Sequence, residues 1–494
     1  MMKATISFNK EETIGKVDKR IYGSFIEHLG RAVYNGIYEP DHKEADDLGF
    51  RKDVLDLVKK LNVPIVRYPG GNFVSGYNWE DGTGPRDKRP RKLELAWESI
   101  ETNQVGIDEF QEWAKRADSD VMMAVNLGTR GPEEARQLVE YCNLDTDTVY
   151  ANKRKENGFE KPFGIKLWCL GNEMDGPWQI CGKTANEYAR VATETAKMMK
   201  WVDPSIELVA CGSSNLEMPT FGTWEKTVLE ATYPYIDYLS LHSYYGNRDG
   251  DTAEFFAKAV DMDSFITQVE NICDEVKAEK GTDKQINLSF DEWNVWYHSN
   301  DQDKEIEPWQ IAPPKLEDVY NLEDAVMVGS MMIVLLNHCD RVKVACLAQL
   351  VNVIAPIMTE VGGDAWAQTI YYPFMYTSTY GRGTALKVSC DAGTYDTKEH
   401  TAIPNVDGAA VLSEDEKTLT LFLVNRSLSE EFDVDLKACG FEGYKVVKQV
   451  AMEGEDLQAV NDAANMNNVV PVEKCVEDGV KLSAHSWNMI QLEK

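Results

Sequence analysis

No two of the ten cysteines in this 494-residue chain are spaced as Cys-x-x-Cys, and the seven histidines form no His-Glu-x-x-His or comparable ligand spacing. Metal sites need clustered donors, so the sequence makes no case for a metal or another cofactor. Several cysteines sit inside apolar runs, as reduced, buried thiols of a cytosolic protein do. Long apolar stretches are missing too. The longest, 325–336, has 12 residues and includes Gly329 and Ser330. It is too short to span a bilayer and reads as a buried helix. The opening residues, Met-Met-Lys-Ala-Thr-Ile, carry no apolar signal core and no cleavage-site pattern, so a cytoplasmic location is expected. Basic charge is scarce: 51 Lys and Arg against 82 Asp and Glu leave a net −31. Such a surface repels phosphate backbones and anionic lipid, which argues against nucleic-acid and membrane partners. A neutral ligand is indifferent to that field, and the acidity by itself says no more than solubility.

What is present is order. Runs rich in β-branched, aromatic and apolar residues occur at 20–27, 64–68, 120–127, 164–170, 206–211, 238–242, 285–290 and 342–349. Segments with helical spacing lie between them, at 47–61, 106–117, 132–142, 184–202, 262–280 and 322–337. Eight strand–helix repeats predict an α/β fold, a (β/α)₈ TIM barrel. After about residue 383 the pattern changes to short alternating runs separated by Gly, Asp, Asn and Ser, which reads as an antiparallel β-sandwich of jelly-roll type. The run 3–8 alternates in the same way and suits an extra strand of that sandwich. The expected units are therefore a barrel over 18–383 and a β-domain over 1–17 with 384–494.

In such a barrel the site lies where the strands end, and these ends are polar. Two runs close on a glutamate, 164–170 at Asn172-Glu173 and 285–290 at Asp291-Glu292. A carboxylate at the end of a buried strand is costly unless paired, hydrogen-bonded or used. Glu173 and Glu292 stand 119 positions apart, and a parallel barrel would bring them to one rim. Two convergent carboxylates are the minimum equipment for cleaving a glycosidic bond. Glu27, Asn72, His242, Tyr244 and Gln349 fall at other strand ends, with Trp97, Trp178 and Trp296 in loops nearby. Each has a plainer reading. Asn-Glu or Asp-Glu-Trp alone is commonly a turn or a helix start, His242 also suits a satisfied core histidine, and Gly70-Gly71 suits a turn. Trp97 and Trp178 could be structural. Cys169 and Cys211 read as packing residues, because no histidine is paired with them. It is the placement of both glutamates, on strands 4 and 7, that points to chemistry.

These segments carry a resemblance. Tyr22-Gly-Ser-Phe-Ile-Glu27-His28, Arg67-Tyr-Pro-Gly-Gly-Asn-Phe73, Tyr77-Asn-Trp-Glu-Asp-Gly82 and Glu101-Thr-Asn103 resemble family 51 glycoside hydrolases, the α-L-arabinofuranosidases. So do Trp168-Cys-Leu-Gly-Asn-Glu173, Leu241-His-Ser-Tyr244 and Asp291-Glu-Trp-Asn294. The resemblance implies Glu173 as general acid and base, Glu292 as nucleophile and Asn172 as partner of the sugar 2-hydroxyl. It implies that Glu27, Asn72, Tyr244 and Gln349 hold the other hydroxyls and that the tryptophans shape the pocket. It also implies a homo-oligomer, a hexamer, acting on terminal arabinofuranosyl units of arabinan or arabinoxylan fragments, with no cofactor. Retention requires carboxyl groups about 5–5.5 Å apart, whereas inversion needs roughly 6.5–9.5 Å. Alternatives of the same barrel class are a β-xylosidase or an endo-glucanase. From other classes come a silent carbohydrate-binding protein and a metal-dependent lyase or isomerase, the last wanting clustered ligands that the spacing does not offer.

Overall fold

The computed structural model describes residues 2–477 and 479–494. Eight parallel strands close a barrel in chain order: β1 (Gly23–Phe25), β2 (Ile65–Tyr68), β3 (Asp120–Val125), β4 (Leu167–Leu170), β5 (Glu207–Ala210), β6 (Tyr238–Tyr245), β7 (Asn287–Val295) and β8 (Val342–Ala348). Every one falls on or within two residues of an expected run at its start, save β1 and β4, which begin three later. Strands buried on both faces read as continuous apolar runs rather than alternating ones, which is why they were visible in the sequence.

β6 and β7 run on past their apolar stretches, to Tyr245 and Val295, so the polar residues 242–245 and 291–294 lie in strand and not in loops. β7 is also irregular. Ser289 pairs with Ser240 but Glu292 pairs with His242, so β7 spends three residues where β6 spends two, and the same slip appears against β8 between Phe290 and Trp293. This is a β-bulge, and it breaks the alternation that would otherwise send neighbouring side chains to opposite faces.

The strand Met2–Lys16 pairs with Thr384–Asp391 on one side and Phe432–Cys439 on the other, inside a nine-stranded sheet otherwise built from 384–493. One face of that sheet has its own core of Ile6, Leu386, Leu421, Phe432, Leu482 and Ile490. The other face, with Val411, Phe422, Trp487 and Met489, merges with the barrel core. Between sheet and barrel lies the helix Leu322–Asn337, buried from Leu322 through Leu336. It has two apolar surfaces to satisfy, which explains its lack of a polar face. Asn321 caps it by accepting from Asp324 N–H at 3.0 Å while Asp324 Oδ2 accepts from Asn321 N–H at 2.9 Å. The N–H groups of Leu322 and Glu323 donate to Ala459 and Leu457 of a loop returning from the β-domain. Among the described residues, four α-helices have no counterpart in the segments named above: Val149–Glu156, Thr223–Thr232, Thr252–Ala257 and Tyr371–Tyr380.

Candidate active site

Strand ends supply the carboxylates. Glu27 follows β1 and is buried. Its Oε1 accepts from the Phe73 N–H at 2.8 Å and the Trp97 indole N–H at 3.0 Å. Its own N–H donates to Gln349 Oε1 at 2.9 Å, tying the end of β1 to the end of β8. Burial is the main reason its carboxyl is pushed up to about 8; the Phe73 and Trp97 donors oppose that and the charge of Glu292 adds to it.

Glu173, after β4, has φ +44°, a left-handed conformation rare for a non-glycine residue and costly unless its surroundings impose it. Two donors aim at its oxygens: His242 Nδ1 lies 2.9 Å from Oε1, and the Trp178 indole N–H lies 2.6 Å from Oε2. Burial raises the Glu173 carboxyl above its ordinary range, the His242 hydrogen bond pulls it down, and the charge of Glu292 raises it again. Glu292, on the bulged segment of β7, accepts from Arg67 Nη1 at 2.6 Å and from the Tyr244 hydroxyl at 2.7 Å. One oxygen each of Glu173 and Glu292, with a ring nitrogen of His242, lie within 4.8 Å of one another. The two glutamates therefore face a common space.

The remaining expected residues surround that space. Asn172 accepts from Arg67 Nη2 at 2.7 Å, and its amide nitrogen stands 3.5 Å from Asn72 Oδ1. A side chain at Gly71 would have its Cβ 3.1 Å from Glu292 Oε1 and 3.5 Å from Glu27 Oε2, so the glycine is what lets the chain pass between the two carboxylates. The Trp296 ring meets Tyr244 edge-on at 5.6 Å. Trp178 is 48% exposed at the rim. His242 is buried, and its contacts are to Glu173, Asp291 and Glu292 at these strand ends.

Residues 57–264 match the family described as alpha-L-arabinofuranosidase 1 domain, and residues 291–486 the one described as alpha-L-arabinofuranosidase C-terminal domain. The chain is 58% identical, over the full length of both, to an intracellular exo-alpha-(1->5)-L-arabinofuranosidase of Bacillus subtilis. The chain belongs to the family 51 α-L-arabinofuranosidases. It is also 50% identical to an exo-alpha-(1->6)-L-arabinofuranosidase of Bifidobacterium longum, over 92% of this chain and 89% of the other. Among solved structures, a family 51 alpha-L-arabinofuranosidase from Bifidobacterium longum superposes with a TM-score of 0.96, at 44% identity and full coverage of both chains. The second family segment opens inside β7, so its boundary is not that of the β-domain.

Two residues of this candidate site stand in the quoted segments but were given no role from the sequence. Arg67 is fully buried within β2, its guanidinium touching Asp291, Glu292 and Asn172. A charged residue inside the apolar run Ile65-Val66-Arg67-Tyr68 was the available signal, since buried arginines are paired. Asp291 is buried beside Arg67 and His242. Only the bulge turns it and Glu292 to the same interior, and that cannot be read from the alternation pattern. Asn126, by contrast, serves its own loop, accepting from Gly128 and Thr129 N–H. The thiols of Cys169 and Cys211 are buried and raised by that burial, Cys211 to about 12, which disfavours the nucleophilic thiolate. Glu173, His242 and Glu292 are close enough to hold a cation, yet each already has a partner: Arg67 and Tyr244 on Glu292, His242 on Glu173.

Proposed function

We propose that this chain is a retaining, exo-acting α-L-arabinofuranosidase that releases terminal non-reducing arabinofuranosyl units by double displacement. The observation carrying the reading is the approach of Glu173 and Glu292, whose facing oxygens lie within 4.8 Å. That proximity fits the closer of the two carboxyl spacings, about 5–5.5 Å for direct attack on the anomeric carbon, better than the roughly 6.5–9.5 Å that inversion needs. Glu292 attacks from the side held by Arg67 and Tyr244 while Glu173 protonates the departing oxygen. Neutralising Glu292 as a glycosyl ester removes the charge that raised Glu173, so Glu173 then serves as base for the incoming water. Asn172 meets the 2-hydroxyl, where a contact tightens as charge develops on the ring. Glu27, Asn72, Tyr244 and Gln349 hold the other hydroxyls, and below about pH 8 Glu27 can donate as well as accept. His242 orients Glu173. Trp97, Trp178 and Trp296 wall the pocket and its leaving-group side.

We read the substrates as arabinan- or arabinoxylan-derived oligosaccharides met in the cytoplasm. The linkage preference would be set on the leaving-group side, where Trp178 stands exposed at the rim. We take the structural units as 18–383 and 1–17 with 384–494, and the assembly as a homo-oligomer, a hexamer, which light scattering on the purified protein measures. The deciding experiment is the configuration of the first product of methanolysis. Methyl α-L-arabinofuranoside is expected; the β-anomer would overturn the double displacement, and no cleavage on any arabinofuranoside would overturn the activity.

A further inference from the structure

Asp291 has no part in the mechanism above, yet it is a buried carboxylate placed between a site arginine and a site histidine. Its Oδ2 lies 3.2 Å from Arg67 Nε and its Oδ1 lies 3.7 Å from His242 Nε2. Among the described residues, neither Asp291 Oδ1 nor His242 Nε2 has any other hydrogen-bond partner. Two orphaned, complementary polar atoms facing one another in a buried site are costly unless they serve each other. The opposite nitrogen of the same ring, Nδ1, faces Glu173 Oε1 at 2.9 Å. The chain Asp291···His242···Glu173 thus ends on the glutamate that has to hold a proton and then release it.

Resting on the reading of Glu173 as acid and base, we propose that Asp291 is a positioning residue that acts through His242 to keep a proton on the His242–Glu173 pair. The carboxylate directs an Nε2–H toward itself while the ring's second proton, on Nδ1, faces Glu173 Oε1, and the proton that Glu173 delivers is carried on its other oxygen. When Glu173 gives its proton to the departing oxygen, the Nδ1 proton remains to hold the resulting carboxylate in place for the base step. Charges facing His242 favour retention of that proton. Glu173, Glu292 at 3.8 Å and Asp291 surround the ring, and Asp175, in the loop after β4, adds a further negative charge. Arg67 opposes them but is occupied by Asp291 and Glu292, and Tyr244 on the same strand is engaged with Glu292. The neighbouring Cys169 thiol, 3.7 Å from Asp291 Oδ2, is uncharged in its buried state.

The test is Asp291→Asn, which keeps the shape and an acceptor for Arg67 Nε but removes the charge. In ¹⁵N NMR of the histidine-labelled protein, with His242→Gln identifying the signal, the wild-type ring is expected to hold both protons past pH 8. In Asp291→Asn it should lose one at least a pH unit lower. On an alkyl arabinofuranoside, whose departure needs a proton, the alkaline limb of kcat/KM should move down by the same interval. On a dinitrophenyl arabinofuranoside it should stay. In a His242→Gln background, Asp291→Asn should move neither. A wild-type ring already neutral at pH 7, an unchanged ring titration in the variant, or a uniform loss of activity at every pH and with both leaving groups would overturn the proposal. If wild-type protein cleaves neither substrate, it is the hydrolase reading that falls, and the ring titration still decides the Asp291–His242 link.

Discussion

At the scale of single residues, the two glutamates are distinguished by their partners. Glu292 is held by Arg67 and Tyr244, while Glu173 faces a histidine and an exposed indole. Glu292→Ala should therefore abolish turnover of every substrate. Glu173→Ala should cost far less with a dinitrophenyl leaving group than with an arabino-oligosaccharide, by at least two orders of magnitude in kcat/KM. Equal losses on both would remove Glu173 from its role. Arg67→Lys is predicted to be no conservative change. One point charge cannot reproduce contacts to Asp291, Glu292 and Asn172, and leaving a buried carboxylate unpaired costs about 3–5 kcal/mol. Chemical unfolding should show that loss, and kcat/KM should fall with it; a variant of wild-type stability would contradict the buried fork. Glu173 and Glu292 were legible because each ends an apolar run, and Asn172 because it precedes one of them. Arg67 and Asp291 were not, because a charge within a strand declares itself only once its partners are known.

At the scale of elements, the barrel was the readable part and the exceptions have physical causes. Strands buried on both faces announce themselves, whereas Tyr371–Tyr380, with four tyrosines and a proline, has little helical propensity and is helical because its Tyr371, Phe374 and Thr377 are buried. The helix Leu322–Asn337 was legible for the opposite reason, being apolar throughout. Its burial depends on close approach of the β-domain. A Cβ at Gly329 would lie 2.2 Å from Cδ1 of Trp487, itself fully buried. Gly329→Val should force the sheet away from the helix and cost about 1–3 kcal/mol by overpacking. Trp487→Ala should cost about 3–5 kcal/mol by leaving a cavity at the same contact. Because both act on one contact, the double variant should lose less than the sum, which a mutant cycle on unfolding midpoints measures. Full additivity would mean that the two residues do not meet.

Across the whole molecule, separate segments are tied to the helix Ala259–Lys280 by histidines set between carboxylates. His338, just beyond Leu322–Asn337, meets Asp263 at 2.9 Å and Glu270 at 3.2 Å. His400, in the segment after the strand Thr394–Tyr395, meets Glu254 at 2.5 Å and Asp261 at 3.0 Å. Burial alone would lower these rings, but the carboxylates outweigh it and carry His338 up to about 9, with His400 raised as well. A histidine raised on folding stabilises the protein fully below its unfolded value of about 6.5 and loses that contribution as pH climbs through its folded value. For His338 the window is pH 6.5 to about 9. Asp263 is half exposed, so solvent screening reduces the effect to about 1–2 kcal/mol. His338→Gln should accordingly lie below wild type in unfolding midpoint at pH 6 and converge with it above pH 9.5. The net charge of −31 adds its own repulsion as pH rises, but it acts on both proteins alike, so the difference between them isolates the clamp. A constant offset across the whole range would mean that His338 contributes shape and not charge.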